Sequence, residues 1–169
     1  MTKLVQKLYQ ALLFLACVSM ILAFASVLLG IVARKAVWDV QGFDAYAGYA
    51  IAMVLFLALP ESFRNGDHIR VSLILEHVSA RVRSALEYWS LGAGLALSAY
   101  LAYFACRLVW ISYVTGDISP SIDKTPLWLP QIFVALGCIG FAVAFVDSLA
   151  SRISRREVPP AEGEIAHYD

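Results

Sequence analysis

The chain has 169 residues, of which 60% are hydrophobic and 15% are charged, and its mean hydropathy is +0.71. These values lie outside the range of ordinary soluble domains, so we expect lipid to cover much of the protein. The chain has 13 basic residues (lysine and arginine) and 13 acidic residues (aspartate and glutamate). It therefore lacks the excess of positive charge that binding to nucleic acid requires.

Four apolar segments are long enough to cross a bilayer as helices. About 20 helical residues, at about 1.5 Å each, cover a hydrocarbon core of about 30 Å. The predicted spans are, in chain order, about 11–33, 45–63, 88–111 and 127–149. The first contains Ala23-Phe24-Ala25, which resembles a signal-peptide cleavage site, but its apolar run continues to Ala33 and is too long for a signal. We therefore predict a single all-α integral membrane domain over residues 1–156.

Aromatic and basic residues are expected at the ends of these spans. All four tryptophans fall where a span should meet the lipid headgroups, as in an aromatic belt; they are Trp38, Trp89, Trp110 and Trp128. One side of the membrane would hold nine basic residues, against Arg34, Lys35 and Lys124 on the other. Cytoplasmic segments are enriched in lysine and arginine, so we predict that both termini are cytoplasmic. The nine are Lys3, Lys7, Arg64, Arg70, Arg81, Arg83, Arg152, Arg155 and Arg156.

Between the second and third spans, residues 67–87 form a predicted amphipathic helix on the cytoplasmic membrane surface, here called the arm. At about 100° per residue, one uncharged stripe contains Val71, Ile74, Leu75, Val78, Val82, Ala85 and Leu86. A smaller apolar patch, Ile69, Leu73 and Ala80, lies opposite and either contacts a partner or is ordinary surface variation. Arg70, Arg81 and Arg83 either attract anionic lipid headgroups or reflect the positive-inside bias alone.

The central parts of the predicted spans contain no ionisable side chain of the Asp, Glu, Lys, Arg or His type. A carrier, a proton-coupled exporter or a haem protein needs such groups at membrane depth. The three cysteines are far apart and without C-x-x-C spacing. We therefore predict no catalytic site, no metal and no cofactor. Small residues at helix-packing spacing, such as Gly140 with Ala144, favour close packing among the four helices or against another protein.

Two motifs resemble those of a known family. Arg64-Asn65-Gly66-Asp67-His68-Ile69-Arg70-Val71 follows the second span, and Pro126-Leu127-Trp128-Leu129-Pro130 precedes Gly137 in the last one. With four spans and cytoplasmic ends, they resemble the DctQ-like small membrane subunit of tripartite ATP-independent periplasmic (TRAP) transporters, over about residues 12–148. The resemblance implies a non-catalytic subunit of the bacterial inner membrane. Its partners would be a large multi-span membrane subunit, which carries a small organic acid and sodium, and a periplasmic binding protein, which delivers the solute.

The resemblance implies no substrate-binding residue in this chain, and the candidate sites are contacts. Those expected to touch the partner subunit or lipid are Arg64, His68, Ile69, Arg70, Leu73, Arg81, Arg83 and Trp128. In the outer loop, Asp117, Asp123 and Lys124 either contact the binding protein or are simply solvated.

Two other functions stay open: a membrane anchor for another complex, such as a redox enzyme, and a small self-associating four-span carrier or membrane enzyme. Residues 157–169 contain Pro159-Pro160 and several acids, which is typical of a disordered tail.

Overall fold

The computed structural model describes residues 3–36, 42–65, 80–121 and 124–156. These contain four helices, α1 (Lys3–Lys35), α2 (Phe43–Asn65), α3 (Ala80–Thr115) and α4 (Trp128–Arg156). Each includes a segment that is long and apolar enough to cross a membrane: Val5–Lys35, Phe43–Arg64, Tyr88–Thr115 and Trp128–Ile153. Within these residues, the prediction of an all-helical fold with four helices able to span a membrane is confirmed.

The helices extend beyond the apolar segments from which they were predicted. Helix α1 begins at Lys3, well before the first predicted span, and α3 begins at Ala80. The last eight residues of the predicted arm therefore continue into the third span without a break. Residues 80–91 contain neither proline nor glycine, so nothing in the backbone ends the helix at the membrane boundary. Residues 67–79 lie outside the described residues, and the amphipathic arm stays a prediction.

The four helices form a row in the order α1, α2, α4, α3. Helix α2 packs along α1 on one side and along α4 on the other, and α4 also packs along α3. Helices α1 and α4 touch only locally. The row therefore has α2 and α4 in its middle, while α1 and α3 lie at its edges with wide exposed faces.

Glycines on α4 allow the close approach of its neighbours. A Cβ at Gly137 would lie 2.9 Å from the backbone nitrogen of Leu57 and closer still to the carbonyl group of Phe56. One turn later, a Cβ at Gly140 would meet Leu12 of α1 and lie 3.0 Å from Pro60 of α2. Small residues let helix backbones approach closely in membranes. At these two positions they serve packing within the chain.

The centre of packing lies where α1, α2 and α4 meet. Leu12, Ala16 and Leu57 are buried there, with Phe133 against them. Nearby, the ring of Phe63 is tilted against that of Phe145, with a centroid distance of 4.2 Å. Aromatic pairs of this kind add to the stabilisation that comes from burial alone. This core holds α1, α2 and α4 together.

Candidate interaction surfaces

Metal-ligating side chains are dispersed over the described residues. Within residues 3–36, 42–65, 80–121 and 124–156, no three His, Cys, Asp or Glu side chains lie close enough together to hold a metal ion. All three cysteines are free thiols. Three surfaces of the described part of the chain present polar or exposed apolar groups: the loop between α3 and α4, the polar groups at the opposite end, and the exposed helix faces.

The loop of residues 116–127 is fixed to the first turns of α2. The hydroxyl of Tyr49 donates a hydrogen bond of 2.6 Å to Oγ of Ser119, which is buried. The hydroxyl of Thr125 donates one of 3.2 Å to Oη of Tyr46. The two tyrosine rings meet edge to face, with a centroid distance of 6.4 Å. The loop therefore lies against the body of the protein.

Backbone hydrogen bonds also give this loop a defined shape. Gly116, with φ of 65°, ends α3, and the N–H of Asp117 returns to the carbonyl of Ser112, as in a Schellman-type helix end. Across the loop, the N–H of Ser119 donates to the carbonyl of Thr125 at 2.8 Å, and that of Leu127 to the carbonyl of Asp117 at 3.0 Å. The loop is held like a short hairpin.

Two of the three predicted loop contacts are exposed on this hairpin. Asp117 and Lys124 are both solvent-exposed, and Lys124 adopts the left-handed conformation with φ of 49°. Its N–H donates a hydrogen bond of 3.1 Å to the carbonyl of Ser121. Asp123 lies outside the described residues. The structure thus presents one acidic and one basic side chain on a hydrogen-bonded platform.

Trp128 joins the ends of α3 and α4. Its ring meets that of Tyr113 edge to face, with centroids 5.8 Å apart, and the tryptophan is half-buried. Edge-to-face aromatic pairs are a preferred geometry. This residue, predicted as a partner or lipid contact, therefore has a packing role within the chain and keeps part of its ring exposed.

Arg64 has its interactions inside the chain, at the opposite end of α2. Its guanidinium lies 3.8 Å from the carboxylate of Glu61, one turn earlier, and 5.7 Å from the ring centroid of Tyr9. Tyr9 is 1% exposed. A cation over an aromatic face is attracted by the ring quadrupole, more so when it is desolvated. Arg64 therefore ties α2 to α1, and its role as a partner or lipid contact stays a prediction.

Most of the other predicted contacts lie beyond the described part of the chain. His68, Ile69, Arg70 and Leu73 lie outside the described residues, as do Trp38 and the tail of residues 157–169. Arg81 lies within the first turn of α3, and Arg83 follows two residues later on the same helix. The roles assigned to all of these residues stay predictions.

A surface that was not predicted lies on α3, facing away from α4. This surface, here called the outer face of α3, consists of Leu97, Tyr100, Tyr103, Phe104 and Arg107, all of them exposed. The ring of Phe104 touches those of Tyr100 and Tyr103, with centroid distances of 4.5 and 5.3 Å. The guanidinium of Arg107 lies 6.0 Å from its centroid. Spacings of three and four residues were the sequence signal that could have revealed this cluster.

The family of the chain follows from its comparison with known proteins. The family model described as "Tripartite ATP-independent periplasmic transporters, DctQ component" matches residues 23–155, from the middle of α1 almost to the end of α4. Searches of the curated proteins and of the solved structures find no match. The match covers most of the chain and confirms the resemblance found in its sequence. The chain therefore belongs to the DctQ family and is a small membrane subunit of a TRAP transporter.

Proposed function

We propose that this subunit is a non-catalytic scaffold for the large TRAP membrane subunit during sodium-coupled uptake of a small organic acid. The observation that carries the proposal is the open row of four helices. The described Asp, Glu, Lys and Arg residues lie in the loop or towards the helix ends, with Asp147 and Arg107 the furthest from an end. Only 6% of the most apolar 18-residue stretch of α3 is buried within the chain. Such faces suit lateral contact with lipid and with other membrane helices.

The groove between α1 and α2 argues against a solute site in that part of the chain. It has a volume of about 340 Å³ and is lined by Met20, Ala23, Phe24, Val27, Ile51, Val54 and Leu55. An organic acid carries a carboxylate, which needs hydrogen-bond donors or a cation when it leaves water. None of the seven lining side chains supplies either. The groove suits hydrocarbon chains.

The row of helices is well shaped for a stationary part of an elevator-type transporter. In that mechanism one rigid body slides against another that stays fixed in the bilayer. Four helices in a row occupy a wider strip of membrane than four helices in a closed bundle. The close packing of α2 with α4 through Gly137 and Gly140 would keep this strip rigid.

The proposed orientation has both termini in the cytoplasm and the loop of residues 116–127 in the periplasm. The first turn of α1 and the last turn of α4 contain Lys3, Arg155 and Arg156, which supports a cytoplasmic location for that end. At the opposite end, Arg34 lies 3.6 Å from Asp44, which offsets part of the local positive charge. The hairpin loop with Asp117 and Lys124 would then face the periplasmic binding protein.

Purification from native membranes tests the proposal. A tagged copy of this chain is expected to bring down a large multi-span membrane protein, and solute uptake is expected to require both subunits and the binding protein. Recovery of a redox enzyme instead would favour the membrane-anchor hypothesis. The scaffold proposal would be wrong if the purified chain, reconstituted alone in vesicles with a sodium gradient, accumulated solute.

A further inference from the structure

The outer face of α3 has hydrogen-bond donors at the depth of the bilayer centre. Trp89 and Trp110 are 21 residues apart, about 31 Å along a helix, which matches the hydrocarbon thickness of about 30 Å. Tryptophans of this kind mark the two interfaces. Tyr100 lies midway between them, and Tyr103 is one turn closer to Trp110.

These donors have no acceptor within the described part of the chain. Tyr100 and Tyr103 are 65% and 62% exposed, and their rings contact the ring of Phe104. Arg107 lies over the same ring and forms no ion pair with a described residue. Lipid tails at this depth offer no acceptor to a phenol, and an unpaired hydroxyl in hydrocarbon is unfavourable.

We propose that the outer face of α3 is the surface that binds the large membrane subunit. The partner would be a transmembrane helix that presents side-chain or backbone acceptors to Tyr100 and Tyr103 near mid-bilayer, and a carboxylate or carbonyl to Arg107 closer to the interface. Aromatic residues and arginine are the types most often found at the centre of binding interfaces. This inference rests on the proposed function, because it takes the large subunit as the partner.

The exposed face of α1, at the other edge of the row, differs in chemistry. Its most exposed large hydrophobic side chains are Phe14, Met20, Ile21, Leu22 and Phe24, and unlike the tyrosines of α3 they have no hydrogen-bonding group other than the weakly accepting sulfur of Met20. Lipid tails satisfy such side chains as well as a protein would. Of the two helices at the edges of the row, α3 is therefore the one whose hydrogen-bond donors would be satisfied by a protein partner and not by lipid tails.

Site-specific photocrosslinking in the assembled transporter tests this assignment. A photoreactive phenylalanine analogue replaces Tyr100 or Tyr103 in one set of samples and Phe24 in a matched control, since Phe24 is also 65% exposed. The expected result is a crosslink to the large subunit from positions 100 and 103 and much less from position 24. The inference is overturned if the complex is intact but the crosslinks come mainly from position 24. Crosslinks to a second copy of this chain, or to lipid alone, would overturn it too.

Removal of the hydroxyl groups tests the hydrogen bonds separately. Tyr100→Phe and Tyr103→Phe keep the rings, and each is expected to speed dissociation of the complex about threefold, the usual effect of one hydrogen bond between membrane helices. Tyr113→Phe is the control, because Tyr113 is similarly exposed but lies near the interface, where water is available. Dissociation at the wild-type rate in both variants would contradict the inference. If the wild-type chain brings down no large subunit at all, the proposed function itself has failed.

Discussion

Gly137 is the position at which a single methyl group should most clearly disturb the row of helices. The added Cβ of Gly137→Ala would lie 2.9 Å from the backbone nitrogen of Leu57 and closer to the carbonyl group of Phe56. These atoms belong to the backbone of α2 and cannot rotate away as a side chain could. The substitution therefore has to push α2 and α4 apart.

The expected size of this effect follows from two opposing contributions. Overpacking of a well-packed core costs about 1–3 kcal/mol, and the upper part of this range applies because the obstacle is backbone. Replacing a helical glycine by alanine stabilises the helix by roughly 0.5–1 kcal/mol. We expect the variant to lose about 1–2 kcal/mol of unfolding free energy, close to a tenfold change in the ratio of folded to unfolded protein.

Two other glycines provide matched controls for the same chemical change. A Cβ at Gly48 or Gly92 would meet nothing within 4 Å, so Gly48→Ala and Gly92→Ala should be neutral or slightly stabilising. Gly94→Ala is expected to be intermediate, because the obstacle there is the ring of Phe145, which can move. Unfolding of the purified subunit by SDS in mixed micelles, followed by circular dichroism, measures all four variants. Equal stability of Gly137→Ala and Gly48→Ala would refute the close backbone contact between α2 and α4.

Three further predictions concern the polar groups at the loop end. Tyr49→Phe removes the hydrogen bond to buried Ser119, so we expect a loss of about 1 kcal/mol in stability and faster proteolysis within the loop of residues 116–127. Arg34→Ala should change the unfolding free energy by no more than about 0.5 kcal/mol, because its ion pair at the start of α2 is exposed; a larger loss would show that the pair is structurally important. Asp117→Asn with Lys124→Gln should reduce uptake at limiting binding-protein concentration and leave stability unchanged, and normal uptake would exclude this loop from the docking surface.

The start of α3 and the contacts of Arg64 could be predicted only in part from the sequence. The sequence predicted a third span near residue 88, and α3 has its apolar segment there but begins at Ala80. Hydropathy detects the hydrocarbon boundary, whereas a helix ends only where the backbone or a capping residue ends it. The spacing of Glu61 and Arg64 was visible in the sequence, but the ring of Tyr9 beside the guanidinium comes from another helix and was not.

The sequence alone determined the number of spanning helices, their approximate positions and the family. Whether a segment such as Val5–Lys35 can span the membrane depends on its own length and apolarity, so the rest of the chain is not needed to predict it. The motifs around Arg64 and Trp128 indicated the family in the same way, because each is a short continuous stretch of sequence.

Only the tertiary structure decided the order of the row and the surfaces that it creates. The helices are apolar nearly all round, and in lipid no hydrophobic stripe distinguishes a face that packs from one that does not. Whether Gly137 would touch α2 or face lipid depended on the shape of a helix about 80 residues away along the chain. Tyr49 and Ser119 are 70 residues apart in sequence, and the phenols of α3 became an exposed surface only because α4 covers the opposite side of that helix.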